Sequence, residues 1–243
     1  MPGLSDALVN FFADLACNIS GVQESARRCG GACTWKFSQS LEPVRSLIAK
    51  ADASKAGICE TIAAQWVCDE ARGRSTKEWL TGSKGDDGTP DTAKLALIAQ
   101  THGLNIQSPD QESATERWMR TNGVPPRKGM FEDMDGGVGQ GASKIDPEAL
   151  VSDFMARARK PNVALPLHAL ISIGEQNRIF GKLEHAMAIK VEPINAATIK
   201  YFDPNYGEFL FPTYDRFKTW FLDYYQKSNY AKYMGTFYKL RYF

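Results

Sequence analysis

The run Leu183-Glu184-His185-Ala186-Met187-Ala188-Ile189-Lys190-Val191, followed beyond Pro193-Ile194-Asn195-Ala196 by Ala197-Thr198-Ile199-Lys200-Tyr201-Phe202, reads as a β-hairpin. Both arms carry the alternating, β-branched and aromatic character of strands, and proline and asparagine supply turn chemistry between them. With the turn centred on Ile194, His185 and Asp203 stand nine positions to either side. Antiparallel pairing then sets them opposite one another, with Cβ atoms ~5 Å apart. In that register Asp203 bonds one imidazole nitrogen, fixes the tautomer and leaves the other nitrogen for a third group. A slip of one residue would break the pairing.

Outward from the hairpin the β character continues. Ala164 to Ile173, Glu208 to Phe211 and Met234 to Tyr242 read as further strands, and the aromatic stretch Tyr230 to Phe243 as buried strand. A helix over Tyr214 to Tyr225 interrupts them, with Phe217, Trp220, Phe221 and Tyr224 forming one apolar stripe. The first half of the chain is helical in pattern. Leu4, Leu8, Phe11, Phe12 and Leu15 recur at helical spacing, residues 18–34 read as a loop, and Leu41 to Ala51 and Glu60 to Ala71 as helices. Asp91 caps a helix over Ala93 to His102, with His102 near its end before Gly103, and Ser108 caps another reaching Arg120. Asp146 and Pro147 open one through Arg159. The Gly- and Pro-rich segment from Thr121 to Ile145 is too polar for regular structure, which makes it a disordered stretch or a mobile loop over the site. Helices followed by consecutive strands define an α+β fold with an antiparallel sheet.

The group that would meet the hairpin is a thiol. Cys59 follows Gly57-Ile58 and opens the helical run Glu60-Thr61-Ile62-Ala63-Ala64-Gln65-Trp66, so its sulfur belongs at a helix N-terminus, where free N–H groups and the macrodipole favour thiolate. A nucleophile, a base and an orienting carboxylate together suffice for thiol acyl transfer. Cys68, deeper in the same helix, reads as a small buried hydrophobe. Cys29 and Cys33 find no second ligand pair at zinc spacing, and no metal or other cofactor is expected. His168 lies within an apolar strand and reads as a structural residue. The run Gly136-Gly137-Val138-Gly139-Gln140-Gly141 lacks the Lys-Ser/Thr of a phosphate loop.

A formal net charge of +1 without charge blocks lacks the footprint of a nucleic-acid binder. No run approaches the ~20 apolar residues of a membrane span. Asn10 and Asp14 interrupt the apolar stretch near the N-terminus, which argues against a cleavable signal peptide. The five cysteines of a chain made in a cytosol are expected to be reduced.

In this order, the motifs Gly57-Ile58-Cys59-Glu60 with Trp66, His185-Ala186-Met187-Ala188 and Phe202-Asp203-Pro204-Asn205-Tyr206-Gly207-Glu208-Phe209 resemble the YopT/AvrPphB family of bacterial effector cysteine proteases. Lys36-Phe37-Ser38-Gln39 is similar to the Phe-Ser-Gln element upstream of that family's nucleophile. The resemblance spans residues 35–212, with no motif assigned in 73–163. It implies a papain-like fold, in which the nucleophile helix packs on an antiparallel sheet presenting His and Asp. Residues 35–243 would form the protease domain and residues 1–34 an N-terminal helix and loop extension. It further implies Cys59 as nucleophile, His185 as general base and acid, Asp203 as orienting group, and delivery by a specialised secretion system into the cytosol of a target cell. Papain-like enzymes place a Gln or Asn donor a few residues before the nucleophile, and residues 51–56 contain neither. Ser54 and Gln39 are therefore the oxyanion-hole candidates.

The expected substrate is a protein in the target cell, with a cognate immunity protein or a secretion chaperone as candidate partners. Two alternatives stay open at this level: a Cys-dependent deamidase or transglutaminase-like toxin, and an inactive papain-like binding module.

Overall fold

Seven strands form one antiparallel sheet among the described residues of the computed structural model, in the order Ala32–Trp35, Gly207–Phe211, Ile199–Asp203, Gly181–Val191, Leu167–Asn177, Phe237–Tyr242 and Met134–Asp135. Those residues are 18–50, 58–82, 89–107, 111–125, 134–135, 145–160, 166–177, 181–192, 198–234 and 237–243. In chain order the elements are α1 (Ile19–Arg28), β1 (Ala32–Trp35), α2 (Val44–Lys50), α3 (Cys59–Ala71), α4 (Thr76–Thr81), α5 (Thr92–Gln107), α6 (Gln111–Thr121), β2 (Met134–Asp135), α7 (Pro147–Ala158), β3 (Leu167–Asn177), β4 (Gly181–Val191), β5 (Ile199–Asp203), β6 (Gly207–Phe211), α8 (Tyr214–Lys227), α9 (Tyr230–Tyr233) and β7 (Phe237–Tyr242).

The sheet divides two cores. On one face Met187, Ile189, Tyr201, Phe209 and Phe211 pack against the aromatic stripe of α8, where Trp220 lies 4.8 Å from the rings of Phe209, Phe211 and Tyr224. On the other, Leu170, Ala188 and Phe202 receive α3, whose Trp66 stacks on Phe202 at 6.0 Å. Every residue of α3 from Cys59 to Glu70 is buried, because the sheet covers one side and α4, α5 and α6 the other. A helix enclosed in this way needs no polar face. Its polar members are paired instead: Asp69 accepts from Gln65, Arg74 and Thr76, and Glu70 binds Lys190 and Lys200 of the sheet.

Several local expectations are corrected. The segment 18–34, read as a loop, forms α1 and β1. Val22 and Ala26 enter the core, Ser25 bonds Asp223 of α8, and β1 pairs with β6. The helix capped by Asp91 does not end at His102 but runs through Gly103 to Gln107, a glycine costing only ~1 kcal/mol relative to alanine in a helix. Within the Gly-rich segment Met134 and Asp135 pair with Leu240 and Lys239, so part of it is strand. The stretch from Tyr230 starts with the short helix α9 before β7. The suggested N-terminal amphipathic helix, the start of the Ser108-capped helix and most of the Gly-rich loop fall outside the described residues.

The hairpin register also differs. Ala188 faces Phe202, Ile189 faces Tyr201 and Val191 faces Ile199, while Glu192 N–H donates to the Thr198 carbonyl. The ladder is therefore centred on residue 195, not 194, and its continuation would set Asp203 opposite Met187. The displacement is two residues along the partner strand, which preserves the face on which side chains emerge.

Candidate active site

Cys59 is the first residue of α3, and the N-cap residue Ile58 supplies no side-chain cap bond to that helix. The preceding backbone is held from a distance in sequence: Ile58 N–H donates to Gln39 Oε1 at 3.0 Å. Cys59 is 7% exposed, and its side chain is among the groups that raise the His185 pKa. Cys68 is buried in the same helix, and desolvation pushes its thiol up to about 12.

His185 and Asp203 are buried and joined at 2.9 Å between Nε2 and Oδ1. An ionised carboxylate only accepts, so Nε2 carries the donated hydrogen and Nδ1 is the nitrogen left for the thiol. Burial alone would lower the basicity of this imidazole. The charge and hydrogen bond of Asp203, reinforced by Cys59, outweigh it and raise the His185 pKa to about 10. The imidazolium is thereby favoured at neutral pH, as required of a group that pairs with a thiolate and later protonates a leaving amine.

Asp203 is held by more than the histidine. Its Oδ1 also accepts from Asn205 N–H at 2.7 Å, and its Oδ2 accepts from the phenols of Tyr230, at 2.9 Å, and Tyr224. Burial and the negative charge of Asp203 raise the pKa of both phenols, which therefore remain donors. A buried carboxylate surrounded by donors avoids the penalty of an unpaired buried charge.

Gln39 is brought to this site and Ser54 lies outside the described residues. The Gln39 backbone N–H donates to Pro204 O at 2.7 Å, and its Nε2 donates to Asn205 Oδ1 at 2.9 Å. The amide carries two hydrogens on Nε2, so one remains for another acceptor near Ile58 and Cys59. Asn205, Tyr224 and Tyr230 escaped the sequence reading. In the sequence Asn205 stands only as part of the Phe202–Phe209 motif, Tyr224 as one member of a core stripe, and Tyr230 as part of an expected strand. Only their convergence in space distinguishes them. Beside Cys59, Glu60 accepts from Thr115 at 2.9 Å and from Arg241 Nη2 at 2.7 Å. Among the described residues no group of three or more His, Cys, Asp or Glu is arranged to hold a metal ion, and no helix is long and apolar enough to cross a membrane.

A buried helix opening on a cysteine, packed on an antiparallel sheet that presents histidine and aspartate, defines a papain-like cysteine peptidase fold. The same fold occurs in the Pseudomonas avirulence protein AvrPphB, whose crystal structure superposes with a TM-score of 0.51 at 16% identity, covering 79% of this chain and 93% of that one. Residues 23–242 match the peptidase C58 family, described as Yersinia/Haemophilus virulence surface antigen, and the chain belongs to that family. By family it is a cysteine peptidase. The cysteine protease YopT of Yersinia pestis is 27% identical over 217 residues, covering 85% of this chain and 62% of YopT. The protein adenylyltransferase and cysteine protease IbpA of Histophilus somni is 26% identical over 228 residues, covering 88% of this chain. This chain spans less than two thirds of YopT and 5% of IbpA.

Proposed function

We propose that the chain is a secreted bacterial effector or toxin that cleaves a protein substrate inside a target cell through Cys59, His185 and Asp203. The observation that carries this reading is the buried 2.9 Å contact of His185 with Asp203, with Cys59 engaging the same imidazole from the start of α3. The Cys59 thiolate attacks the scissile carbonyl carbon, and the resulting oxyanion is held by the Cys59 N–H and the remaining Gln39 amide hydrogen. His185 gives its Nδ1 proton to the leaving nitrogen, the C–N bond breaks and a thioester forms. His185 then takes a proton from water as the oxygen attacks the thioester, releasing the acid and restoring the thiolate–imidazolium pair. Asp203 keeps the imidazole oriented and its positive charge compensated. None of these steps requires a cofactor.

The reading is tested by exposing a target-cell proteome to the wild type and to Cys59→Ala and mapping new protein N-termini by mass spectrometry. New termini that depend on Cys59 are expected. A Cys59-dependent change of about one mass unit with intact chains would replace proteolysis with deamidation. No Cys59-dependent product would leave a binding module.

A further inference from the structure

Asn205 lies between the two halves of this machinery, and every hydrogen bond around it has a determined direction. Ile58 N–H donates to Gln39 Oε1, so the Gln39 nitrogen must be the atom that faces Asn205. Gln39 Nε2 and Ser40 Oγ, at 2.9 and 3.2 Å, both donate to Asn205 Oδ1. That leaves Asn205 Nδ2 to donate to the Tyr230 oxygen at 3.0 Å, and the Tyr230 hydroxyl proton goes to Asp203 Oδ2 at 2.9 Å. The Asn205 backbone N–H closes the circuit on Asp203 Oδ1. Asn205 is 2% exposed, so water does not substitute for these contacts.

We infer that Asn205 is a positioning residue that holds the Gln39 amide and the Asp203 carboxylate in mutual register, so that the oxyanion donor and the His185 partner are set by one side chain. The inference rests on the assignment of Cys59, His185 and Asp203 made above and extends it to a group that touches none of the reacting atoms. Its chemistry is specific to an amide. Oδ1 must accept from the Gln39 side and Nδ2 must donate to the Tyr230 side, a polarity that neither aspartate nor alanine reproduces. A displacement of ~1 Å in such a constellation is enough to cost ~10²-fold in rate.

Two probes separate the halves. Iodoacetamide alkylates a thiolate by displacement and needs no oxyanion hole, whereas p-nitrophenyl acetate acylates it through a tetrahedral intermediate that does. Rates at Cys59 are followed by peptide mapping for the first probe and by nitrophenolate release for the second. Gln39→Ala should slow acylation about 10²-fold and slow alkylation at least about tenfold less than that. Tyr230→Phe should slow both, and Asn205→Ala should slow both by about tenfold or more. In the Asn205→Ala background, Gln39→Ala should add less than about threefold to the acylation loss, because the amide is already unregistered. Should Asn205→Ala fail to fold, Asn205→Asp keeps the volume and the acceptor for Gln39 while removing the donor to Tyr230, and both rates are expected to fall because the Asp203 side loses its register.

Wild-type rates with both probes in the folded Asn205 variants, or a full Gln39→Ala effect persisting without Asn205, would overturn the inference. A Cys59 no more reactive than Cys29 in the wild type would instead overturn the underlying site assignment and the inference with it.

Discussion

His185 Nε2 and Asp203 Oδ1 meet at 2.9 Å at the point where the β4–β5 ladder stops, its last rung being Ala188 with Phe202. Beyond that rung β5 ends at Asp203 and the turn Pro204–Tyr206 follows, whose Asn205 N–H joins His185 on the same carboxylate oxygen. The end of the ladder is also where Cys59 engages the imidazole. Backbone pairing up to Phe202 supplies rigidity, and its end supplies the three-way junction a thiol, an imidazole and a carboxylate need.

Removing any member of this junction should remove most of the chemistry while sparing the fold. Cys59→Ala and His185→Ala are expected to reduce proteolysis below detection. Asp203→Asn should lower it by up to ~10⁴, since an amide beside the ring favours the wrong tautomer. Comparison of far-ultraviolet circular dichroism with hydrolysis rates checks both halves of the statement. Retained turnover in Cys59→Ala would remove the nucleophile assignment.

A pH dependence follows from His185. Its pKa in the folded protein is raised from 6.5 to about 10, with Asp203 and Cys59 overcoming the opposing effect of burial. A raised folded value means that the stabilising contribution is complete below pH ~6.5 and is lost as pH climbs through about 10. An NMR titration of the His185 ring in the wild type should therefore show its midpoint far above the ordinary histidine range. Asp203→Asn should bring the midpoint down, and the fall in melting temperature across that window should shrink. A wild-type midpoint near 6.5 would show that the ion pair is not formed.

The β-rich second half was legible because its strands alternate and its helix carries one aromatic stripe. The observed β4, β6 and α8 begin and end within a few residues of the expected positions. Helix α1 was hidden by Ser20, Gly21 and Ser25, whose local preference for turns is overridden by docking of Val22 and Ala26 against α8. The hairpin centre was misplaced by one position because Pro193 and Asn195 signal a turn without specifying its length. The error left His185 and Asp203 together only because it preserved the face. Cys59, His185 and Asp203 stood out as residue types with chemistry. Asn205, Tyr224 and Tyr230 did not, since their significance is a set of contacts between segments far apart in the chain.

Gly207 ties the sheet edge to the site. Its φ is +111°, and a Cβ there would lie 2.2 Å from the Trp35 carbonyl oxygen and 3.3 Å from Phe37 N, both backbone atoms that cannot rotate away. Gly207→Ala should cost about 3 kcal/mol of stability. It should also push residues 35–37 outward, taking the adjoining Gln39 from Pro204 and Asn205. Urea denaturation measures the first effect and p-nitrophenyl acetate acylation of Cys59 the second. A loss below about 0.5 kcal/mol would mean that β1 yields without strain.

The ion pair beside Cys59 makes a separate prediction about stability. Arg241 and Glu60 are buried and 2.7 Å apart, Thr115 shares the same Glu60 oxygen at 2.9 Å, and Ser172 lies 3.4 Å from the guanidinium. Among the described residues Nε and Nη1 of Arg241 have no hydrogen-bond partner, so the guanidinium is desolvated beyond what its contacts repay. Such a pair contributes little net stability when whole, yet breaking it leaves a carboxylate buried without its counterion. Arg241→Ala is therefore expected to destabilise the protein by about 3–5 kcal/mol, and Glu60→Leu by a comparable amount. The double variant Glu60→Leu/Arg241→Met should recover most of that loss, because neither charge then remains to be compensated. Urea denaturation of the four proteins gives the coupling directly. Strictly additive losses would show that the two side chains stabilise the helix start and β7 independently, each through its packing alone.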